Sequence, residues 1–366
     1  MRLAGHFPAR MRRLQIVLLM LLTTLAAAWG GDWTLVKYAG RDHVTLQNVS
    51  DFYGLGAVTR VSNRLTLGQP NRSLRGTVGS DELYINNLKF ILSYPIAEHN
   101  GEPIVSRMDL TKVIEPVLRP SRIKDAEQVT TVVLDPGHGG HDNGASSFWG
   151  MEKNCALDVA LRAKSLLEQR GLKVYLTRTS DVFIPLEDRV RFANQFPNAL
   201  FIAIHFNAGG SNASGIETFT LAPRGVPSMA ADGPRLSDLQ PCPGNVRDAE
   251  NMALATAMHA SLICNAQLYD RGIKRARFVV IRDITVPGVL IEGGFLSNTN
   301  DARKIANPQY RQEVAICIQR AVDNYRRAVS PNAPLVAGGS AAVRDASADS
   351  EAKKSDSPAV VTPTAN

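Results

Sequence analysis

The 366-residue chain reads as an α/β protein: a mixed, mainly parallel sheet with helices on both faces, preceded by a small β-rich α+β domain. Two observations predict this. From about residue 130 onward, short apolar runs alternate with segments of helical period, as in strands joined by crossover helices. Residues 32–122 instead hold several short strand-like runs separated by turn residues. The stretch 121–128 between them is polar and reads as a linker.

Residues 1–28 precede both domains. Arg2, Arg10, Arg12 and Arg13 lead into an apolar run from Leu14 that ends at Ala26-Ala27-Ala28. A basic start, a run too short to span a bilayer comfortably and a small-residue site describe a secretory signal peptide. Cleavage is expected after Ala28, giving an exported protein, periplasmic or extracellular, with no stable membrane anchor. Those arginines also explain most of the formal +7 charge; without them 37 basic residues face 34 acidic ones. So small an excess gives no reason to expect nucleic acid as a partner.

Within residues 32–122 there is a faint internal repeat. Val44–Tyr53 resembles Val105–Ile114, and in each a hydroxyl residue, Thr45 or Ser106, is placed to cap a short helix. Strand-like runs lie between them at Arg64–Leu67, Glu82–Ile85 and Leu88–Leu92, with Asn86-Asn87 supplying a turn. His43 and His99 are isolated, so no metal is assigned to this part.

The residues that carry chemistry follow. Thr131-Val-Val-Leu134 reads as a buried strand, stopped by Asp135-Pro136-Gly137, and it delivers His138 to a tight glycine-rich turn. Open α/β sheets keep their ligands at such strand ends. Gly139 and Gly140 leave space for a close approach to the backbone. A second run, Ala199–Ile204, delivers His205 and then Asn207. A third, Val289-Leu-Ile291, ends in Glu292. Glu152 opens a helix predicted over 151–170, whose apolar face holds Ala156, Val159, Ala160, Ala163, Leu166 and Leu167. An acidic residue in a first turn needs no metal to be favourable. Together with two histidines, however, it makes the donor set of a hydrolytic zinc site with an open position.

Leu134-Asp-Pro-Gly-His-Gly-Gly140, Gly150-Met-Glu-Lys-Asn154, Thr177-Arg-Thr-Ser-Asp181, Ile204-His-Phe-Asn-Ala208 and Ile291–Asn298 together resemble the zinc-dependent N-acetylmuramoyl-L-alanine amidases. The resemblance covers about 130–328. It implies that His138, Glu152 and His205 bind zinc and that Glu292 is the catalytic carboxylate. It further implies peptidoglycan as substrate, in wall remodelling or daughter-cell separation. His141 falls outside the implied metal shell and, with Asn207, is read as a substrate contact. Arg178, Asp181 and Arg189 are read as holding loops together. Residues 32–122 loosely resemble the copper amine oxidase N-terminal-like module. A zinc exopeptidase and a non-catalytic wall-binding module are the competing readings.

The remaining expectations are structural. Lys173–Thr177, Gly215–Leu221 and Phe278–Ile281 read as strands, and 248–265 and 309–326 as helices, with His259 packed inside the first of these. Four cysteines, Cys155, Cys242, Cys264 and Cys317, allow three complete pairings, and the sequence does not choose among them. Residues 222–247 are long for a strand–helix connection and rich in proline and glycine. They are read as a rim or partial lid over the substrate groove and a place for a regulatory protein partner. Residues 330–366 read as a disordered tail.

Overall fold

The computed structural model of the chain describes residues 33–330, apart from 70–71, 125, 230–232 and 267. The expected signal peptide and nearly all of the expected tail lie outside the described residues.

The N-terminal part contributes nine strands: β1 (Leu35–Tyr38), β2 (Arg41–Thr45), β3 (Thr59–Val61), β4 (Arg64–Gln69), β5 (Arg72–Thr77), β6 (Glu82–Ile85), β7 (Leu88–Ile91), β8 (Ala97–His99) and β9 (Glu102–Ser106). Helix α1 (Leu46–Tyr53) follows β2, and a helical stretch over 107–118, α2, follows β9. The two halves of the sequence repeat pair with each other, Val44 opposite Val105 in an antiparallel ladder. Both expected caps form: Thr45 Oγ1 accepts from Asn48 N at 3.1 Å and Ser106 Oγ from Asp109 N at 2.9 Å. Each satisfies an amide that a helix start leaves without an internal partner.

The second part contains β10 (Thr131–Pro136), the short hairpin β11 (Ser146–Ser147) and β12 (Gly150–Met151), α3 (Glu152–Glu168), β13 (Lys173–Leu176), α4 (Leu186–Ala193), β14 (Ala199–Asn207), β15 (Ile216–Leu221), α5 (Asp248–Ala266), β16 (Asp270–Ala276), α6 (Val279–Arg282), β17 (Gly288–Phe295), α7 (Thr299–Ala306) and α8 (Pro308–Val329). Strands β13, β10, β14 and β17 are neighbours and parallel, whereas β15 runs antiparallel to β17. Alternation along each strand divides the core. Val132, Leu134, Ile202, Ile204, Val289 and Ile291 face α3, α5 and α8, while Val133, Phe201, Ala203 and Leu290 face α4 and α6.

Three sequence expectations change. The run 278–281 is not a strand; Val279–Arg282 is one helical turn whose Val280 and Ile281 fill the second core. Short apolar runs look alike in either conformation. A strand that the sequence did not announce, β16, pairs in parallel with both β15 and β7. Through it the sheet runs unbroken for eleven strands, in the order β13-β10-β14-β17-β15-β16-β7-β6-β5-β4-β3. A buried ion pair locks this junction: Arg275 reaches Asp109 at 3.0 Å and donates to Ile91 O at 2.8 Å.

The third change concerns 222–247. Because β15 is antiparallel to β17, Glu217 lies opposite Glu292 and Leu221 points to the other end of the sheet. The long connection therefore starts on the side away from His138, His205 and Glu292 and is no lid. It folds around Arg277, whose guanidinium donates to Pro223 O, Asp238 O and Cys242 Sγ and pairs with the Asp238 carboxylate. All four cysteines are free; Cys155 and Cys317 are buried and Cys264 is exposed. No helix among the described residues is long and apolar enough to cross a membrane.

Candidate metal centre

Each candidate ligand reaches the site from a different element. His138 leaves the end of β10 with φ +60°, a left-handed conformation that non-glycine residues rarely adopt. Two arginines over-determine that turn. Arg178 donates to Pro136 O at 3.0 Å and Gly137 O at 2.7 Å. Arg189 pairs with buried Asp135 at 2.8 Å and donates to Pro136 O and His138 O. These arginines hold loops together, as the sequence suggested, and Asp181 does so too, accepting from Gly140 N and Lys153 Nζ. Gly139 tolerates no side chain, but what approaches it is the chain itself: an added Cβ would sit 2.1 Å from Val182 O.

Glu152 is the first residue of α3 and is buried. Its Oε1 lies 3.0 Å from Nε2 of His138 and 2.8 Å from Nδ1 of His205, and it accepts from Phe206 N at 3.1 Å. Oε2 accepts from Ala145 N at 2.8 Å. Burial pushes this carboxyl up, but the hydrogen bonds from His138 and His205 outweigh it and hold it well below the usual carboxylate range. Gly144 makes room here, because a Cβ there would meet Glu152 Oε2 and His138 Cδ2 at 2.5 Å. His205 leaves β14 in register with Glu292 on β17.

The donor atoms of His138, Glu152 and His205 all lie within 4.8 Å of one another, compact enough for one ion. The far nitrogen of His138, Nδ1, is 2.8 Å from Asp142 Oδ2, an outer partner that metal-binding histidines commonly have. Glu292 is half-buried beside them, and its Oε2, shielded from solvent, has no hydrogen-bond partner. Burial, and then the charges of Glu152 and Glu217, push its carboxyl well above the usual range. This arrangement fits a dication: mixed imidazole and carboxylate donors, a braced histidine and an unpaired carboxyl that gains from nearby positive charge.

His141 is exposed and lies against Phe183, ring centroids 4.2 Å apart, at the rim and outside the donor cluster. Asn207 donates to Glu217 Oε2 at 3.1 Å. His259 is buried in α5, bridging Thr218 Oγ1 and Asp270 Oδ1. Sequence reasoning missed Asp142 and Glu217. Asp142 lay four residues from His138, and Glu217 stood out as a lone charge within the apolar and β-branched run Ile216–Leu221.

Comparison with known proteins adds an independent finding. Residues 132–324 match the family model described as N-acetylmuramoyl-L-alanine amidase. The chain is 32% identical over 217 residues to the N-acetylmuramoyl-L-alanine amidase AmiC of Escherichia coli, covering 53% of this chain and 52% of that one. It is 34% identical over 186 residues to the amidase CwlM of Bacillus licheniformis, covering 50% and 64%. The matched stretch thus spans about half to two thirds of these relatives. Among solved structures, the catalytic domain of the amidase CwlV from Bacillus (Paenibacillus) polymyxa var. colistinus is 31% identical, covering 54% of this chain and 98% of that one with a TM-score of 0.45.

Proposed function

Because the chain belongs to the N-acetylmuramoyl-L-alanine amidase family, we propose that it is a zinc hydrolase of the bacterial envelope acting on peptidoglycan. The bond it would cleave joins the lactyl group of N-acetylmuramic acid to the L-alanine of the stem peptide. The observation that carries this reading is the convergence of His138, Glu152 and His205 beside the buried, unpartnered oxygen of Glu292.

His138, Glu152 and His205 would hold zinc, which when bound supplies Lewis-acid polarisation of water and of the scissile carbonyl. Glu292 takes the proton from the attacking water and returns it to the departing alanine amine. A carboxyl held above the usual range suits both halves of that exchange. Arg178 and Arg189 fix the turn that presents His138, and Asp142 orients its ring. His141 and Asn207 would contact substrate at the rim.

Export follows from residues 1–28, with a mature chain beginning at Trp29 as the expectation for N-terminal sequencing. The role would be wall remodelling or daughter-cell separation. A regulatory protein partner at 222–247, where Leu236, Leu239 and Val246 are exposed, would act from the end of the sheet opposite the metal ligands. The test is zinc content together with mass analysis of digested peptidoglycan. Stoichiometric zinc and free stem peptides beginning with alanine are expected, while release of single D-amino acids would make the enzyme a carboxypeptidase instead.

A further inference from the structure

His205, Glu292 and Glu217 form a row across β14, β17 and β15, each in register with the next. Residues in register put their side chains on the same face, so the row runs from a candidate metal donor, past the proposed proton carrier, to the buried carboxylate of Glu217. On the next strand, β16, Lys274 lies one side-chain position along, in register with Phe219 and above that ring, and reaches back to Glu217.

Glu217 is surrounded by donors. Its Oε1 accepts from Arg271 Nε at 2.5 Å and from Lys274 Nζ at 2.6 Å, and its Oε2 from Asn207. A single buried carboxylate needs one cation for neutrality; this one has two. Among the described residues neither cation pairs with another acid. Asp270, the nearest in sequence, turns instead to His259, Lys89 N and Gly272 N. Arg271 is half-buried, commits only its Nε to Glu217 and lies over Phe295, its guanidinium carbon 5.0 Å from the ring centroid. The result is a net positive charge about one to two strand spacings, roughly 5–10 Å, from Glu292.

That interval has a meaning if the site cleaves an amide at the head of a peptide. An extended chain advances roughly 3.3 Å per residue, so the residue after the scissile alanine brings its own substituents to about this distance. We propose that Arg271 and Lys274 form the subsite for a carboxylate on that second stem residue. Arg271 meets it with its unused terminal nitrogens, while Glu217 holds both cations and the Asn207 amide in place. Guanidinium suits the task because its fork matches a carboxylate and stays charged at any working pH. The site would then select acidic stem peptides over those in which this carboxylate is amidated.

This inference rests on the amidase reading, and two arms separate them. The first compares hydrolysis of N-acetylmuramoyl dipeptides that differ only in carrying a carboxylate or a carboxamide on the second residue. Arg271→Gln is the informative variant, since Lys274 still neutralises Glu217. About a tenfold loss in kcat/KM is expected on the acid form, through KM, with less than a threefold loss on the amide form and partial rescue by Arg271→Lys. Equal losses on both forms would mean that Arg271 only supports the fold, and the proposal would fall. The second arm titrates the free acid and amide dipeptides into the zinc-loaded wild-type protein by calorimetry, independent of turnover. Tighter binding of the acid by about tenfold supports the subsite, and equal affinities overturn it. Absence of cleavage with the acid preference intact would overturn the amidase reading alone.

Discussion

Arg189 Nη2 donates to the main-chain oxygen of His138 at 2.7 Å, so a buried guanidinium on α4 sets the backbone of the turn that presents a candidate metal ligand at the end of β10. The contact explains how a histidine can be kept at φ +60°. Replacing Arg189 by lysine retains charge but loses the fork that spans Asp135, Pro136 O and His138 O. Zinc affinity should fall about 10–100-fold, the range for lost outer partners. Competition titration against a chelator measures it, and unchanged affinity would show the turn is stable without the arginine.

Glu292 should be separable from the metal. Glu292→Gln is expected to reduce hydrolysis by about 10²–10⁴ while zinc stays stoichiometric, because the residue lies outside the donor cluster. His138→Ala and His205→Ala should lose zinc and activity together. Near-normal turnover in Glu292→Gln would remove it from the mechanism.

Asp142→Asn keeps the size of the side chain that braces His138 Nδ1 but removes its charge. Metal affinity should drop about tenfold or more. The metal-loaded rate should change far less than affinity does. A loss of rate at saturating zinc would instead place Asp142 in contact with the reaction.

Acid should weaken the junction between the two parts of the sheet. Burial raises the Asp270 carboxyl, but His259 and the amides of Lys89 and Gly272 lower it more, leaving it below its usual value. A depressed folded value stabilises the protein above the unfolded value of about 3.9, and that contribution is lost as pH falls below it. Urea midpoints at pH 7 and pH 3 should therefore differ more for wild type than for Asp270→Asn. Equal differences would contradict the assignment.

Arg277→Met tests the placement of residues 222–247. Breaking the buried pair with Asp238 should cost about 3–5 kcal/mol of stability, read from unfolding midpoints. Zinc content and turnover of soluble muramoyl peptides should hold, because the segment starts at the end of β15 away from Glu292. Lost turnover with zinc retained would mean that the segment reaches the substrate after all.

Much of the site was legible because its strands are buried on both faces. Val132–Leu134, Ala199–Ile204 and Val289–Ile291 therefore read as apolar runs with charged residues at their ends. Strand β16 was not legible for the opposite reason: Asp-Arg-Gly-Ile-Lys-Arg-Ala satisfies buried neighbours through Arg275–Asp109 and Lys274–Glu217 pairs, which no hydrophobic pattern reveals. The supposed lid was misplaced because direction along a sheet depends on pairing. Nothing within Ile216–Leu221 announces that it runs against β17.

The pairing of β7 with β16 bears on how this chain can be cut into pieces. A sheet that stopped at β16 would present a row of bare amide and carbonyl groups, the template from which strands of separate molecules join and precipitate. The N-terminal part covers that border with its own strands and pairs Asp109 with the buried Arg275. Truncation at residue 130, although it would spare every candidate metal donor and Glu292, would expose this border and strip a buried cation of its partner. The first part of the chain is thereby expected to protect the second from self-association.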